Sequence, residues 1–273
     1  MHAELPLNAL KQLVREAGAA TLPFWQQAID VERKADDSPV TAADLAANRV
    51  LIDGLAQLTP DIPVVSEESC SIPIATRQGW SRWWLVDPLD GTKEFISGSS
   101  EFTVNIALIE AGRVVFGVVG VPAQNRLYLG GAGQGAWQED ADGVLHALQV
   151  RSQHAPLQVV ASKRHSSAEQ EALLASLEHS VGAFERISVG SSLKFCQLAA
   201  GQADLYPRLA PTSQWDTAAA QAVLEGAGGC VLRLDGSVLE YPAADSYLNP
   251  HFIALPAQAP WRATLLKAAA TLA

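Results

Sequence analysis

Apolar positions change their spacing along the chain, and the change separates predicted helices from predicted strands. Apolar residues three and four apart predict an amphipathic helix over residues 7–29. After the polar loop ERKADDSPV, a second helix is predicted from residue 41 to about 58, because Pro60 stands just beyond it. The next apolar runs, in DIPVVSEES and WWLVDPLDGT, are short and end in acids, which is typical of strands that end in turns.

The centre of the chain has the alternation of an antiparallel sheet. From residue 102 to 150, strand-like runs such as FTVNIALIEAGRVVFGVVG, RLYLGGAGQGAW and GVLHALQV are separated by turn residues, which predicts a meander. We place a soft boundary near residue 155, giving an N-terminal α+β half, 1–155, and a C-terminal α/β half, 156–273. No Ser/Gly linker separates the two halves, so we expect them to pack tightly.

Strands and helices alternate in the second half, which indicates a layered α/β arrangement. LQVVAS, FERISVG and ADLYPRL are the predicted strands. Helices are predicted over residues 168–177, in SSLKFCQLAAG, where Gly201 ends the helix, and in DTAAAQAVLEGAGG, which also ends in glycine.

Composition limits the classes of protein that this chain can belong to. Its 273 residues are 48% hydrophobic and 18% charged, which is enough to bury a sizeable core. The formal net charge is -10, which argues against binding a nucleic-acid duplex, since that binding needs a basic surface. An anionic substrate would therefore need bound cations or a local basic patch.

Cysteine and histidine usage argues against a sulfur-based metal site. The three cysteines are scattered without a CxxC pair, and the six histidines form no HxH or HxxxH pair. This pattern fits a reducing cytosol and predicts that any metal is held by oxygen. The N-terminus carries charges throughout and does not look like a signal peptide, and the apolar region 102–123 is too broken for a membrane helix.

Acidic residues mark four places along the chain that could share one metal. Glu67, with Glu68 beside it, and the pair Asp87 and Asp90 follow apolar runs, while Asp44 and Asp216 stand at predicted helix starts. Each has a simpler interpretation: a turn for DPLDG, a solvated strand end for the glutamates, and a helix cap for Asp216.

The DPLDGT segment has the groups that a metal-bound phosphate needs. Its proline restricts the backbone so that both aspartates and the Leu89 carbonyl could face one point. The N–H groups of Gly91 and Thr92 would then be available to a phosphate, and the Thr92 hydroxyl could orient a water. Clustered carboxylates repel one another unless cations bind them, and hard divalent ions such as Mg²⁺ prefer oxygen ligands.

Two segments together carry a family resemblance. WLVDPLDGTKEFIS and WDTAAAQAVLEGAGG, in this order, with VVSEE upstream and TAAD ending at Asp44, resemble the inositol monophosphatase superfamily of Mg²⁺-dependent, lithium-sensitive phosphatases. The resemblance covers nearly the whole chain. It implies a layered αβαβα sandwich, an α/β (α+β) fold, with the metals between the two halves.

Within this superfamily, the chain is most similar to one branch. DGTKEF, DDSPVTAAD and GSSLKFCQLAAGQADLYPRL resemble the 3′(2′),5′-bisphosphate nucleotidases of the CysQ type, whereas inositol phosphatases usually have Asn-Phe after the DGT element. The implied substrate is the small molecule 3′-phosphoadenosine 5′-phosphate (PAP), a by-product of sulfate assimilation, which would be hydrolysed to AMP and phosphate.

The resemblance also assigns roles to individual residues. Two or three Mg²⁺ ions would be held by Glu67, Asp87, Asp90, Asp216 and the Leu89 carbonyl. Asp44 and Thr92 would position and activate the attacking water, with no covalent phosphoenzyme. The residues implied to contact substrate are Glu67, Leu89, Asp90, Gly91, Thr92, Ser191, Ser192, Lys194, Arg208 and Asp216.

The second phosphate of the substrate requires a basic subsite. Ser191, Ser192 and Lys194 stand at a predicted helix start, where N–H groups favour anions, and Arg208 is a further candidate. The simpler interpretations are a helix cap for Ser191 and solvated charges for Lys194 and Arg208. The segment 163–165, Lys-Arg-His, is a weaker candidate.

Three other functions compete with the nucleotidase assignment. They are an inositol monophosphatase, a fructose-1,6-bisphosphatase, and an inactive homologue that senses metal or nucleotide. The last would have lost a metal ligand, but all the expected acids are present. The resemblance is compatible with a monomer or a homodimer, in the cytoplasm or peripherally at the inner membrane's cytoplasmic face.

Overall fold

The computed structural model describes residues 5–27, 32–33, 39–151, 155–161 and 168–272. The basic segment 163–165 and most of the loop ERKADDSPV lie outside these residues. Helix α1 spans Leu7–Thr21 and is followed by a 3₁₀ helix, Leu22–Phe24. The predicted extension of α1 to residue 29 was wrong, because Pro23 has no N–H to continue the helical ladder. Helix α2, Ala42–Leu58, confirms the second prediction.

The N-terminal half is built on a seven-stranded sheet. A short pair, β1 (Glu32–Arg33) and β2 (Pro39–Val40), precedes it. The sheet runs in the order β3 to β9, with β3 parallel to β4 and every other pair antiparallel, which confirms the predicted meander. Its strands are β3 (Val64–Ser66), β4 (Arg82–Asp90), β5 (Thr103–Glu110), β6 (Arg113–Val121), β7 (Arg126–Gly131), β8 (Gly135–Glu139) and β9 (Leu145–Ala147). Short helices α3 (Ile74–Arg77) and α4 (Thr92–Ile96) flank β4.

The C-terminal half contains two smaller sheets. One is the parallel pair β10 (Leu157–Ala161) and β11 (Phe184–Ser188). The other is antiparallel, with strand order β12–β14–β13, formed by β12 (Tyr206–Arg208), β13 (Gly229–Arg233) and β14 (Phe252–Pro256). The helices are α5 (Ala168–Val181), α6 (Leu193–Ala199), α7 (Ala218–Gly226) and α8 (Arg262–Ala269). The predicted strands and helices are present, but the sequence analysis missed β13, β14 and α8.

Apolar side chains hold these elements together as successive layers. Helices α1 and α2 pack on one face of the large sheet, and α6 and α7 cover the other. The C-terminal strands follow, with α5 and α8 outside them. A Cβ on Gly117 of β6 would lie 2.2 Å from the Ala219 carbonyl oxygen, so α7 rests directly on the sheet backbone. This arrangement confirms the predicted αβαβα sandwich. No helix in the described part of the chain is long and apolar enough to cross a bilayer.

Candidate active site

Asp44 lies in the first turn of α2 and is held by a capping box. Its Oδ2 accepts hydrogen bonds from the Thr41 backbone N–H (2.8 Å) and the Thr41 hydroxyl (2.6 Å). The Thr92 hydroxyl is 3.4 Å from Asp44 Oδ1 and 3.3 Å from the Leu89 carbonyl oxygen. Asp44 is therefore a helix-capping residue through one oxygen and faces the DPLDGT segment through the other.

A bulge brings Asp87 and Asp90 to the same side of β4. Residues three apart on a regular strand point to opposite faces. Here Asp87 pairs with Asn105 and Asp90 with Thr103, so three steps on β4 match two on β5. Gly91 follows with φ 87°, a left-handed conformation that starts α4 directly after the strand. The segment DPLD is therefore the bulged end of β4 and not an ordinary turn, which begins only at Gly91, and the bulge brings its two carboxylates together.

Asp216 comes from the C-terminal half. It ends a 3₁₀ helix, Gln214–Asp216, just before α7, and its Oδ2 accepts the Ser213 backbone N–H at 2.9 Å. Asp216 does not cap α7, whose N-cap is Thr217, but forms a capping box with Ser213 at the start of the 3₁₀ helix. This capping box orients the side chain toward β4 and leaves a second oxygen for another role.

One carboxylate oxygen from each of Asp87, Asp90 and Asp216 converges on a common centre. The three oxygens lie within 4.8 Å of one another. In each case another bond holds the carboxylate: the backbone N–H of Leu89 donates to Asp87 (3.0 Å), that of Ser192 to Asp90 (2.5 Å), and that of Ser213 to Asp216. Asp87 Oδ2 is buried and, among the described residues, has no hydrogen-bond partner.

The cluster carries more negative charge than its surroundings accommodate. Burial raises the pKa of Asp87 well above its usual range, and the neighbouring Glu67, Asp90 and Asp216 raise it further. Burial likewise raises the pKa of Asp216, with Asp90 and Glu67 adding to the effect. Burial raises the pKa of Asp90 to about 6, against the opposing effects of Lys194 and the Ser192 N–H. These couplings also place Glu67, which follows β3, within electrostatic reach of the centre.

These donors fit a hard divalent cation. The converging atoms are all carboxylate oxygens, and an unpartnered buried oxygen such as Asp87 Oδ2 costs free energy unless something binds it. Glu67 is close enough to raise the pKa of Asp87 electrostatically, and the Leu89 carbonyl oxygen lies 3.3 Å from the Thr92 hydroxyl.

A cavity of about 140 Å³ adjoins Asp90 and Asp216. Lys194, which is 6% exposed, enters it from α6 with its ammonium 2.7 Å from the Ser191 carbonyl oxygen. Burial lowers the Lys194 pKa to about 8, and Asp90 opposes this, so the ammonium stays largely charged at neutral pH. Arg208 enters from β12, and its guanidinium donates to the carbonyls of Ala210 and Pro211.

The cavity wall includes predicted and unpredicted residues. Gly91, Ser191, Lys194 and Arg208 were predicted. The sequence analysis missed Lys93, Glu94, Gly190, Phe195, Tyr206, Thr212 and Thr217. Tyr206 could have been found, because it stands two residues before Arg208 on one strand and so shares its face.

Ser192 is placed differently from the prediction. It is not among the residues that line the cavity, and it is only 2% exposed. Its backbone N–H donates to Asp90 and its hydroxyl to Asn105, so neither group is directed at a substrate. The predicted contact between Ser192 and the substrate stays a prediction, and in this structure Asp90 already accepts the Ser192 N–H.

The fold and the acid cluster together define a class. The sequence profile of the Inositol monophosphatase family matches residues 4–270, and the chain belongs to this family. The 3′(2′),5′-bisphosphate nucleotidase CysQ of Escherichia coli K12 is 50% identical over 248 residues, covering 90% of this chain and 98% of that protein. The CysQ protein of Haemophilus influenzae is 33% identical over 259 residues, or 94% and 95% of the two chains.

Solved structures agree with this assignment. The crystal structure of CysQ from Bacteroides thetaiotaomicron is 36% identical, with a TM-score of 0.79, and covers 91% of this chain and 97% of that chain. An inositol monophosphatase from Anabaena is 25% identical, with a TM-score of 0.73, and covers 97% and 95%. The chain is thus similar to CysQ nucleotidases over nearly its whole length.

The raised pKa values predict how stability depends on pH without metal. A carboxyl whose folded pKa exceeds its unfolded value of about 3.9 stabilises the fold when protonated, and this contribution is lost as pH rises through the folded pKa. In chelator, the unfolding free energy should therefore fall from pH 4 through 6 and above. The slope is up to about 1.4 kcal/mol per pH unit for each such carboxyl.

Urea unfolding in chelator should isolate this effect by comparing the wild type with Asp87→Asn. The variant should lose less stability over the same pH range, because one repelled charge is gone. Added Mg²⁺ should stabilise the wild type increasingly as pH rises. If the unfolding free energies of the two proteins fell in parallel with pH, the pH-dependent loss of stability would not come from this cluster.

Proposed function

We propose that the protein is a Mg²⁺-dependent 3′(2′),5′-bisphosphate nucleotidase that hydrolyses the 3′-phosphate of PAP to give AMP and phosphate. The observation that carries the proposal is the cavity beside the carboxylate cluster, whose wall contains Asp90 and Asp216 together with the basic side chains of Lys194 and Arg208. A substrate with one phosphate on the metals and a second phosphate on the basic side chains fits this combination of charges. The 50% identity to a CysQ nucleotidase supports the same choice.

The metal ligands are proposed to be Glu67, Asp87, the Leu89 carbonyl, Asp90 and Asp216. Two or three Mg²⁺ ions bound there would lower the pKa of a water, neutralise the scissile phosphate and stabilise the leaving oxygen. The protein's own contribution is to fix these oxygens before substrate arrives, through the N–H bonds from Leu89, Ser192 and Ser213.

Asp44 and Thr92 are proposed to handle the attacking water. When the Thr92 hydroxyl donates to Asp44 Oδ1, the lone pairs on Thr92 Oγ1 can accept a proton from a water. The proton is then drawn from the water through Thr92 toward Asp44 as the water attacks phosphorus. The N–H groups of Gly91 and Thr92, at the start of α4, bind the phosphoryl oxygens.

Lys194 and Arg208 are proposed to bind the 5′-phosphate. Both are fixed by backbone carbonyls, which reduces the entropy cost of ordering them on the ligand. An inositol monophosphate has no second phosphate to use these cations, so this alternative leaves the cavity's charge unexplained. The proposal extends to a role in sulfur metabolism in the cytoplasm, inhibition by Li⁺, and a monomeric or homodimeric state.

The function is tested by phosphate release from PAP, inositol 1-phosphate and fructose 1,6-bisphosphate, each with Mg²⁺ and with excess chelator. PAP should have the highest kcat/KM, and activity should vanish in chelator. Li⁺ should inhibit at concentrations that leave folding intact. A preference for inositol 1-phosphate would replace the nucleotidase assignment, and full turnover in chelator would exclude the metal mechanism.

The role of Asp44 is separated from its capping role by a matched pair of variants. Asp44→Asn and Thr92→Ala should each lower kcat by about two to four orders of magnitude, the usual scale for losing acid–base assistance. Thr41→Ala breaks the same capping box but keeps the Asp44 carboxylate. It should cost about 0.5–2 kcal/mol of stability while kcat stays near that of the wild type. Equal kcat losses in Asp44→Asn and Thr41→Ala would reduce Asp44 to a structural residue.

The 5′-phosphate subsite is tested by Lys194→Met, which keeps most of the buried stem and removes the charge. A charge-assisted hydrogen bond is worth roughly 1.5–3 kcal/mol, so kcat/KM for PAP should fall about ten- to hundredfold. The loss for inositol 1-phosphate should be much smaller, with ionic strength held fixed. Lys267→Met, in α8, controls for net charge. Equal losses on both substrates would exclude Lys194 as the reader of the second phosphate.

A further inference from the structure

Three buried polar side chains form a closed ring beside the carboxylate cluster. Thr103 and Asn105 share one face of β5, opposite Asp90 and Asp87, and Ser192 comes from the C-terminal half. The Thr103 and Ser192 hydroxyl oxygens are 2.8 Å apart, Ser192 Oγ donates to Asn105 Oδ1 at 2.9 Å, and Asn105 Nδ2 donates to Thr103 Oγ1 at 3.2 Å. All three residues are at most 2% exposed.

The ring has one self-consistent direction of hydrogen bonding. Since Ser192 donates to the amide oxygen of Asn105 and the amide nitrogen donates to Thr103, the Thr103 hydroxyl is left to donate to Ser192. Each hydroxyl then donates once and accepts once, and the Asn105 amide uses its oxygen and one N–H within the ring. Buried hydrogen-bond networks of this kind hold their members in place.

The ring lies against the Asp90 carboxylate. Thr103 Oγ1 is 3.5 Å from Asp90 Oδ2, and the Ser192 backbone N–H donates to the same oxygen at 2.5 Å. The Ser192 N–H therefore restrains the carboxylate that also contributes an oxygen to the converging cluster. Fixing Ser192 thereby fixes the orientation of Asp90.

The same turn also carries the cavity's buried ammonium. Lys194 lies two residues beyond Ser192 and donates to the Ser191 carbonyl at 2.7 Å. Ser191 has φ 47°, a left-handed conformation that costs a non-glycine residue free energy. The turn therefore needs contacts from outside to hold its shape, and the ring with β5 supplies them at the adjacent residue.

We infer that Thr103, Asn105 and Ser192 are positioning residues that couple the metal ligand Asp90 to the turn that presents Lys194. The ring makes one structural unit of a carboxylate from the N-terminal half and an ammonium from the C-terminal half. The inferred effect of the ring on metal binding requires only the carboxylate cluster. Its inferred effect on substrate discrimination rests on the proposed function. Breaking the ring should weaken both effects together.

The experiment compares Ser192→Ala, Thr103→Val and their combination, with Mg²⁺ alone titrated calorimetrically into the metal-free protein. Loss of a residue that orients a metal ligand typically costs 10- to 100-fold in affinity, so each single variant should raise the Mg²⁺ Kd by about that factor. The Mg²⁺ Kd of the double variant should equal that of whichever single variant binds Mg²⁺ more weakly, because both changes open the same ring. Thr21→Val, which removes a buried hydroxyl bonded within α1, is the matched control and should leave the Kd unchanged.

Two further measurements separate positioning from loss of fold. Thr103→Ser keeps the hydroxyl but loses a methyl group, so it should retain near-normal Mg²⁺ affinity even if its thermal stability falls as far as that of Thr103→Val. In steady-state assays, Ser192→Ala should also reduce the preference for PAP over inositol 1-phosphate, whereas simple partial unfolding would lower both activities equally.

Unchanged Mg²⁺ affinity in folded Ser192→Ala and Thr103→Val would overturn the inference. So would an equal loss of affinity in Thr103→Ser and Thr103→Val, because the hydroxyl would then be irrelevant. The calorimetric result does not depend on substrate. A wild type that binds Mg²⁺ but does not hydrolyse PAP would therefore refute the proposed function and leave the ring to be judged on metal affinity.

Discussion

Mutual repulsion among three converging carboxylates, one buried and two half-buried, is the constraint on which this structure depends. Asp87, Asp90 and Asp216 bring oxygens within 4.8 Å of one another in a place where burial already disfavours their charge. No apolar core would adopt this arrangement for its own stability. It persists because the layers on either side of the large sheet bury enough apolar surface to hold the two halves against the repulsion. Burial of apolar surface therefore offsets the electrostatic free energy of bringing these carboxylates together before any cation binds.

The ends of secondary-structure elements make this assembly practicable. Each aspartate of the cluster accepts a backbone N–H, and Asp44 likewise accepts the Thr41 N–H while its other oxygen lies 3.4 Å from the Thr92 hydroxyl. Helix starts and strand ends are where such unpaired N–H groups exist. A capping interaction and a metal-ligand role are therefore compatible in one side chain, because a carboxylate has two oxygens. Asp216 combines a capping-box hydrogen bond from Ser213 with a place in the carboxylate cluster.

This division explains how much could be predicted from the sequence. Asp44, Asp87, Asp90 and Asp216 were identifiable because caps, strand ends and the DPLDGT turn have local signals. The ring formed by Thr103, Asn105 and Ser192 has none: it depends on a bulge that shifts β4 against β5 and on the packing of a turn 89 residues away. Ser192 was predicted to contact the substrate because the start of its helix was visible in the sequence, whereas the hydrogen bond from its N–H to Asp90 was not. The α1 boundary was missed for a simpler reason, since the apolar spacing continues past Pro23.

The turn at Gly190–Ser192 links the two kinds of charge in the site. Gly190 donates its N–H to Glu101, Ser192 donates to Asp90, and the Ser191 carbonyl accepts the Lys194 ammonium. Acidic groups of the N-terminal half thus take the turn's N–H groups, and its carbonyl is left to a cation. The turn can therefore lie between the acid cluster and the basic subsite. Its N–H groups donate to the carboxylates, and its carbonyl accepts from the ammonium. The backbone of this turn therefore holds the Asp90 carboxylate and the Lys194 ammonium in a fixed relation to each other, which is what a substrate carrying two phosphates requires.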